Sequence, residues 1–138
     1  MTPAQLELVK ASYAKLPDGG AVMAADFYRN LFALDPSTRA LFGTDPAVMS
    51  VKFSGELAAI VEAITSYETF APRVSELAVR HTGYGVRPQH YRTVGQALIR
   101  ALAAHLDEDW DEELEAAWRR AYNLVSELMM TAAGDAQR

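Results

Sequence analysis

Residues 77–86 have the sequence LAVRHTGYGV, in which a helical pattern ends at His81 and two glycines then break the chain. Pro88 opens the next helical pattern, because proline is favoured in the first turn of a helix. A histidine in the last turn of a helix has a fixed backbone, and its neutral imidazole is a strong ligand for iron. Alternatively, His81 caps the last carbonyls of the helix and interacts with its dipole. His81 is therefore a candidate metal ligand whose role depends on the rest of the chain.

The composition is that of one small domain. The chain has 138 residues, of which 50% are hydrophobic, which suits one hydrophobic core and leaves no room for a second catalytic domain. We therefore expect residues 1–138 to form a single domain, with residues 134–138 as a frayed tail. Its 13 basic and 18 acidic residues give a net charge of −5 without a basic block, which argues against nucleic acid as a partner.

The chain contains no cysteine, which excludes disulfides, thiolate metal sites and cysteine nucleophiles. A bound iron or zinc ion would need His, Tyr, Met or carboxylate ligands. No apolar segment approaches ~18 residues, and no basic stretch precedes an apolar run at the amino end, so we expect neither a membrane span nor a signal peptide. These features favour a cytoplasmic protein.

Apolar residues recur at helical spacing through nearly the whole chain. Thr2 and Gln5 predict a capping box at the start of the first helix, and Asp109 and Glu112 predict another at the start of the last. The sequence has no alternating apolar run and no Asn-Gly turn, the patterns that would indicate strands. We predict an all-α fold of about seven helices. One clear apolar face of a long helix is formed by Phe53, Leu57, Ile60, Val61 and Ile64.

Several common classes of enzyme site lack their sequence motifs. The chain has no Gly-x-Ser-x-Gly elbow, no glycine-rich phosphate loop and no His-Glu-x-x-His pair. His90 and His105 lie near the two ends of one predicted helix, about four turns or ~22 Å apart, which is too far for one metal ion. We expect His105 to be a solvated residue at the helix end. Hydrolase, nucleotide-binding and zinc functions are therefore disfavoured.

Several segments spread along the whole chain share one resemblance. In this order and spacing they resemble the globin family, and most closely the bacterial single-domain haemoglobins related to the haem domain of flavohaemoglobins. The resemblance implies an all-α globin fold, a three-on-three helical sandwich around haem b (iron protoporphyrin IX). The segments are residues 26–32 (DFYRNLF), Leu41-Phe42, residues 80–86 (RHTGYGV), His90-Tyr91 with Val94-Gly95, and Ala117-Trp118 with Ala121-Tyr122.

The resemblance also implies roles for individual residues. His81 matches the proximal ligand to the haem iron, and Phe42 matches the corner phenylalanine that stacks on the porphyrin. Tyr28 matches the second-helix tyrosine that donates a hydrogen bond to dioxygen on the distal side. A phenol in a dry pocket stabilises dioxygen with partial superoxide character, so dioxygen should leave slowly. Tyr84 and Val86 are further residues that the resemblance implies at the cofactor.

The distal positions of the long helix depart from the family pattern. Counting back from His81 without a gap, the distal glutamine or histidine position falls on Met49 and the bulky gate position falls on Phe53. Met49 cannot donate a hydrogen bond, so Tyr28 would act alone. The thioether is either a flexible wall of the pocket or a ligand to iron that gives a six-coordinate resting state. Lys52 either pairs with a haem propionate or is a solvated surface lysine.

The proximal side shows a second departure. Flavohaemoglobin haem domains pair the proximal histidine with a tyrosine and with a glutamate late in the last helix, which increases electron density at iron. Tyr91 matches the tyrosine and is expected at the cofactor site, but the glutamate position falls on Ala133. Without that carboxylate, His81 is expected to donate to a backbone carbonyl. Peroxidase-like chemistry is therefore disfavoured.

The resemblance leaves several functions open. The first is reversible binding of dioxygen, and of nitric oxide, at a pentacoordinate iron with Tyr28 as distal donor. The second is a nitric oxide dioxygenase that uses an external flavin reductase, because slow release of dioxygen suits this enzyme and handicaps a carrier. The third is a haem-based gas sensor, and the fourth is a haem-free helical interaction module. We expect either a monomer or a homodimer whose ligands are diatomic gases.

Overall fold

The computed structural model describes residues 1–43, 45–64, 66–83 and 87–136, except the side chains of residues 67–69, 79, 81–83 and 132–136. Within these ranges every regular element is a helix, which confirms the predicted all-α fold. Three of the elements are short 3-10 helices, at Pro17–Gly20, Pro36–Leu41 and Asp107–Asp109. The α-helices are α1 (Pro3–Ala14), α2 (Ala21–Leu34), α3 (Pro46–Ala63), α4 (Tyr67–Gly83), α5 (Pro88–Leu106) and α6 (Glu112–Ala136).

Of the two predicted capping boxes, the one at the start of α1 is confirmed and the one at the start of α6 is wrong. The Thr2 side chain accepts from the Gln5 N–H at 3.1 Å, and the Gln5 side chain accepts from the Thr2 N–H at 3.0 Å. Asp109 instead lies in the third 3-10 helix, and Asp111 accepts from the Leu114 N–H at 2.8 Å. The 3-10 turn moves the start of α6 toward the carboxyl end, so the free N–H groups of its first turn face Asp111.

The helices pack in two layers of three. In one layer α3 contacts both α1 and α4, and in the other α5 contacts both α2 and α6. The layers meet where α2 packs on α3 and where α1 and α4 pack on α6. Along the described stretches, no helix has both the length and the hydropathy that a bilayer crossing requires. Large side chains that fill the space between the layers include Trp118, Phe27, Phe70, Met23, Leu31 and Leu102.

Phe27 is expected to be among the side chains on which the stability of the fold depends most. It is 1% exposed, and its ring stacks on that of Phe53 with centroids 4.2 Å apart. Phe27→Ala should lower the free energy of unfolding by about 3–5 kcal/mol, because the truncation leaves a cavity that a packed core fills only in part. Urea denaturation measures this difference. Val22→Ala is the matched control on α2, since Val22 is 45% exposed and should change stability by less than about 0.5 kcal/mol.

Candidate functional site

The second helix places Tyr28 inside a cluster of aromatic side chains. Its ring lies 5.0, 5.8, 5.1 and 5.8 Å, centroid to centroid, from the rings of Phe27, Phe32, Phe42 and Phe53. Tyr28 is only 8% exposed, and burial raises the pKa of its phenol to about 12. The phenol is therefore neutral at physiological pH and keeps its proton for donation.

The hydroxyl of Tyr28 differs from those of two other buried tyrosines. The Tyr13 hydroxyl shares its one proton between the carbonyls of Gly19 and Ser54, at 2.8 and 2.9 Å, and Tyr122 donates to the Tyr91 carbonyl at 2.5 Å. In the described part of the chain no hydrogen bond to the Tyr28 hydroxyl is found, and burial alone raises its pKa. The ring of Tyr28 is buried, but its hydroxyl oxygen is not among the fully buried side-chain atoms without a partner in the described residues, so it borders space that a ligand can reach. Tyr28 therefore presents a donor that a bound ligand can use.

Two predicted distal residues, Met49 and Phe53, lie on α3, which packs against the helix that carries Tyr28. Met49 is buried, and Phe53 is partly buried and packs against Tyr28 at one end of the aromatic cluster. Lys52 lies between them in sequence, but its side chain is exposed and has no ion pair among the residues that the structure describes. Phe53 thus lies beside Tyr28 and Met49 belongs to the buried core, whereas the role of Met49 at a bound gas and the pairing of Lys52 with a propionate stay predictions.

Sequence reasoning missed the contact that fixes α3 beside this cluster. The Tyr13 hydroxyl reaches the carbonyl of Ser54, the residue after Phe53, from a helix 41 positions earlier in the chain. The same hydroxyl contacts the Gly19 carbonyl, which lies at the turn after α1. Tyr13 thereby joins α1 to α3. Nothing in its local sequence indicates this role, since tyrosine on an apolar stripe is typical of any core.

The proximal side is described in part. His81 lies in the last turn of α4, as predicted, but its side chain is outside the described set, as is that of Ala133. Tyr84 and Val86 lie outside the described residues altogether. Tyr91 lies on α5 and is partly buried, and burial raises the pKa of its phenol. The proximal roles of these residues therefore stay predictions.

The close approach of α6 to Tyr91 depends on a glycine. A Cβ added to Gly95 would lie 2.7 Å from Cε2 of Tyr122, so only a glycine on α5 leaves room for this ring. The Tyr122 hydroxyl then reaches the carbonyl of Tyr91, one turn earlier on α5. Burial, with a smaller contribution from Tyr91, raises the pKa of Tyr122. These contacts fix the backbone that carries Tyr91.

The other two histidines have partners within the protein. Nδ1 of His90 accepts from the Arg87 N–H at 2.9 Å at the start of α5. Nε2 of His105 lies 2.5 Å from Oδ2 of Asp26, and the side chain of His105 is only 19% exposed. The prediction of a solvated His105 is therefore wrong. Asp26 lies on α2, far away in sequence, and only the packing of α2 on α5 brings the two together.

Comparison with known proteins identifies the family to which this arrangement belongs. Residues 25–129 match the family model described as Globin. The chain belongs to the globin family. This globin is 33% identical over 135 residues to a flavohemoprotein of Deinococcus radiodurans, with 94% of the chain and 33% of the relative aligned. It is 31% identical over 141 residues to a flavohemoprotein of Pseudomonas aeruginosa, with 96% and 35% aligned. The chain spans about a third of the length of these curated relatives.

Solved structures of bacterial proteins confirm the globin fold. An engineered carbene transferase made from a candidate nitric oxide dioxygenase of Rhodothermus marinus aligns with a TM-score of 0.88 at 28% identity. That alignment covers 99% of this globin and 96% of the other chain. A bacterial globin from Campylobacter jejuni aligns with a TM-score of 0.86 at 21% identity and covers 99% of both chains. The sequence-based prediction of family and fold is confirmed.

The described residues of this globin fit a haem. A flat, largely apolar macrocycle needs apolar walls, and a polar ligand bound to it needs a donor inside them. The cluster around Tyr28 supplies both, because four phenylalanine rings surround a phenol without a partner in the described part. His81 would hold the iron from the last turn of α4.

The raised pKa of Tyr28 predicts a loss of stability in alkali. Its ordinary pKa of 10.0 rises to about 12 in the folded protein, so between these pH values the unfolded chain releases a proton that the folded protein keeps. The stability contributed by the neutral phenol is complete below pH 10 and is lost as the pH rises toward 12. Between pH ~9 and ~11.5 the wild type should lose about 2 kcal/mol more than Tyr28→Phe, measured by urea unfolding. Equal losses in both proteins would contradict this.

Proposed function

We propose that this globin binds haem through His81 and holds dioxygen reversibly, with Tyr28 as the distal donor. The observation that carries the proposal is the buried, neutral Tyr28 phenol, for which the described residues provide no hydrogen-bond partner. When bound, the haem iron supplies the coordination site for the gas. Phe42 packs beside the phenol, and we propose that it is the corner phenylalanine that stacks on the porphyrin.

The aromatic walls and the phenol act together. Phe42 and Phe53 pack against the Tyr28 ring and give it apolar surroundings, in which a hydrogen bond is stronger than in water. Dioxygen with partial negative charge accepts this hydrogen bond, which at a charged acceptor is worth about 1.5–3 kcal/mol. Tyr28 thus slows the release of dioxygen.

Met49 distinguishes this site from one with two distal donors. Its thioether sulfur is a weak acceptor and cannot donate, so we propose that it forms a flexible wall beside the bound gas. A pentacoordinate resting iron follows from this role, whereas direct binding of the sulfur would give a six-coordinate iron. Lys52, exposed on the same helix, is proposed to pair with a propionate.

The comparisons favour a second function, that of a nitric oxide dioxygenase. The relatives of this globin include flavohemoproteins, and its structural neighbour from Rhodothermus marinus is described as a candidate nitric oxide dioxygenase. The reaction joins dioxygen, nitric oxide and one electron to give nitrate, with the O–O bond broken and both oxygens transferred to nitrogen. An external flavin reductase would supply the electron. Tyr28 serves this reaction too, since slow release keeps dioxygen in place until nitric oxide arrives.

Titration of the purified protein with ferric haem, followed by reduction and oxygenation, tests the proposal. We expect a sharp Soret band that saturates at one haem per chain and shifts reversibly with oxygen. A protein that takes up no haem would overturn the proposal in favour of a helical interaction module. Nitric oxide added to the oxygenated protein with a flavin reductase and reduced nicotinamide then tests the enzyme. Fast dioxygen release without repeated nitrate formation would exclude the enzymatic function.

A further inference from the structure

A carboxylate and two arginines join α3 to α4 outside the aromatic cluster. Oε2 of Glu56 lies 3.6 Å from Nη2 of Arg73, and its Oε1 lies 3.5 Å from Nη2 of Arg80. Arg73 and Arg80 are about two helical turns apart, so they lie on the same face of α4. One side chain of the helix that carries Met49 therefore holds two positions on the helix that carries His81.

The burial of Glu56 makes this contact more than a pair of surface charges. Its side chain is 26% exposed, and its Oε1 atom is buried without a hydrogen bond in the described structure, although Arg80 is within ion-pair distance. Removing a carboxylate oxygen from water costs free energy unless a positive charge compensates it. Glu56 therefore depends on the two guanidinium groups, and a displacement of α4 would leave it uncompensated.

A proline weakens α4 at the start of the segment between the two arginines. Pro72 lies inside α4 directly before Arg73 and cannot donate a hydrogen bond to the carbonyl four residues earlier. The backbone hydrogen bonding of α4 is therefore weaker just before Arg73, where the segment begins. At its other end Arg80 precedes His81, so the two ion pairs lie at both ends of the segment that leads to the candidate iron ligand.

We infer that Glu56 is a positioning residue for His81. Its carboxylate pairs with Arg73 and Arg80, and through them it fixes the last turns of α4 relative to α3. The inference rests on the proposed haem function. It predicts that the charge of Glu56, and not only its volume, sets the strain on the bond between His81 and the iron.

Glu56→Gln tests this inference because it keeps the shape of the side chain and removes the charge. The readouts are the iron–histidine stretching band of the ferrous protein and the rate at which haem transfers to excess apomyoglobin. We expect a shifted band and haem loss about 3- to 10-fold faster, since two partly exposed ion pairs are lost. Glu62→Gln is the matched control, because Glu62 is exposed on the same helix and has no ion pair in the described part of the chain. Glu56→Asp keeps the charge and should recover part of both effects.

Salt provides an independent test in the wild type. At about 1 M NaCl the screening length falls to ~3 Å, so haem loss should accelerate in the wild type and change much less in Glu56→Gln. Equal salt sensitivity of the two proteins would overturn the inference. A Glu56→Gln protein that is less stable without haem but keeps the wild-type iron–histidine stretching band would also overturn the inference. That result would show that Glu56 only stabilises the fold. A wild type that takes up no haem overturns the proposed function as well, and the initial haem titration shows this before any variant is compared.

Discussion

His81→Gly is expected to abolish the sharp Soret band and to release haem at least about 100-fold faster than the wild type. This factor is a minimum, since residues that only support a metal ligand already contribute about 10- to 100-fold to metal affinity. Added imidazole should enter the space left by the side chain and restore the band. Absorption spectra of the ferric and ferrous protein, recorded with and without imidazole, measure both effects. The rescue separates iron binding from a structural role of the helix end.

The other two histidines supply the controls. His90→Ala removes the acceptor for the Arg87 N–H, and His105→Ala removes the partner of Asp26. Both variants should lose stability and keep a wild-type spectrum, because each side chain is engaged with the protein itself. A His81→Gly protein that keeps its spectrum, or a His105→Ala protein that loses it, would contradict the assignment of His81.

The sequence predicted those parts of the fold that depend on neighbouring residues. The capping box of Thr2 and Gln5 and the position of His81 in the last turn of α4 each follow from a few adjacent side chains. The aromatic cluster followed less directly. Tyr28 and Phe42 are 14 positions apart in sequence, and the family resemblance assigned both to one cofactor site without predicting the contact between their rings.

Apart from the Asp111 cap at the start of α6, the unpredicted contacts described above are tertiary. Tyr13 reaches Ser54 across 41 positions, and His105 reaches Asp26 across 79, and neither pair has a local pattern. Glu56 is one acidic residue on a long helix until the packing of α3 on α4 brings it to two arginines. Side-chain partners between helices depend on how far each helix is rotated and shifted, which apolar periodicity constrains only roughly.

Tyr28→Phe is expected to accelerate dioxygen dissociation by about 10- to 100-fold. The phenylalanine keeps the ring contacts with Phe27, Phe42 and Phe53 and removes only the hydroxyl. A hydrogen bond of about 1.5–3 kcal/mol to a partly charged acceptor corresponds to this range of rates. Stopped-flow mixing of the oxygenated protein with carbon monoxide, followed in the Soret region, measures the dissociation rate.

Tyr13→Phe is the matched control for this experiment, because it removes a phenol of the same core whose hydroxyl already donates to the Gly19 and Ser54 carbonyls. We expect this variant to lose about 1 kcal/mol of stability and to keep the wild-type dissociation rate. Dissociation from Tyr28→Phe at the wild-type rate would show that Tyr28 does not hold dioxygen. Equal acceleration in both variants would show instead that the aromatic cluster controls release through its packing, since Tyr13 joins α1 to α3 directly beside Phe53.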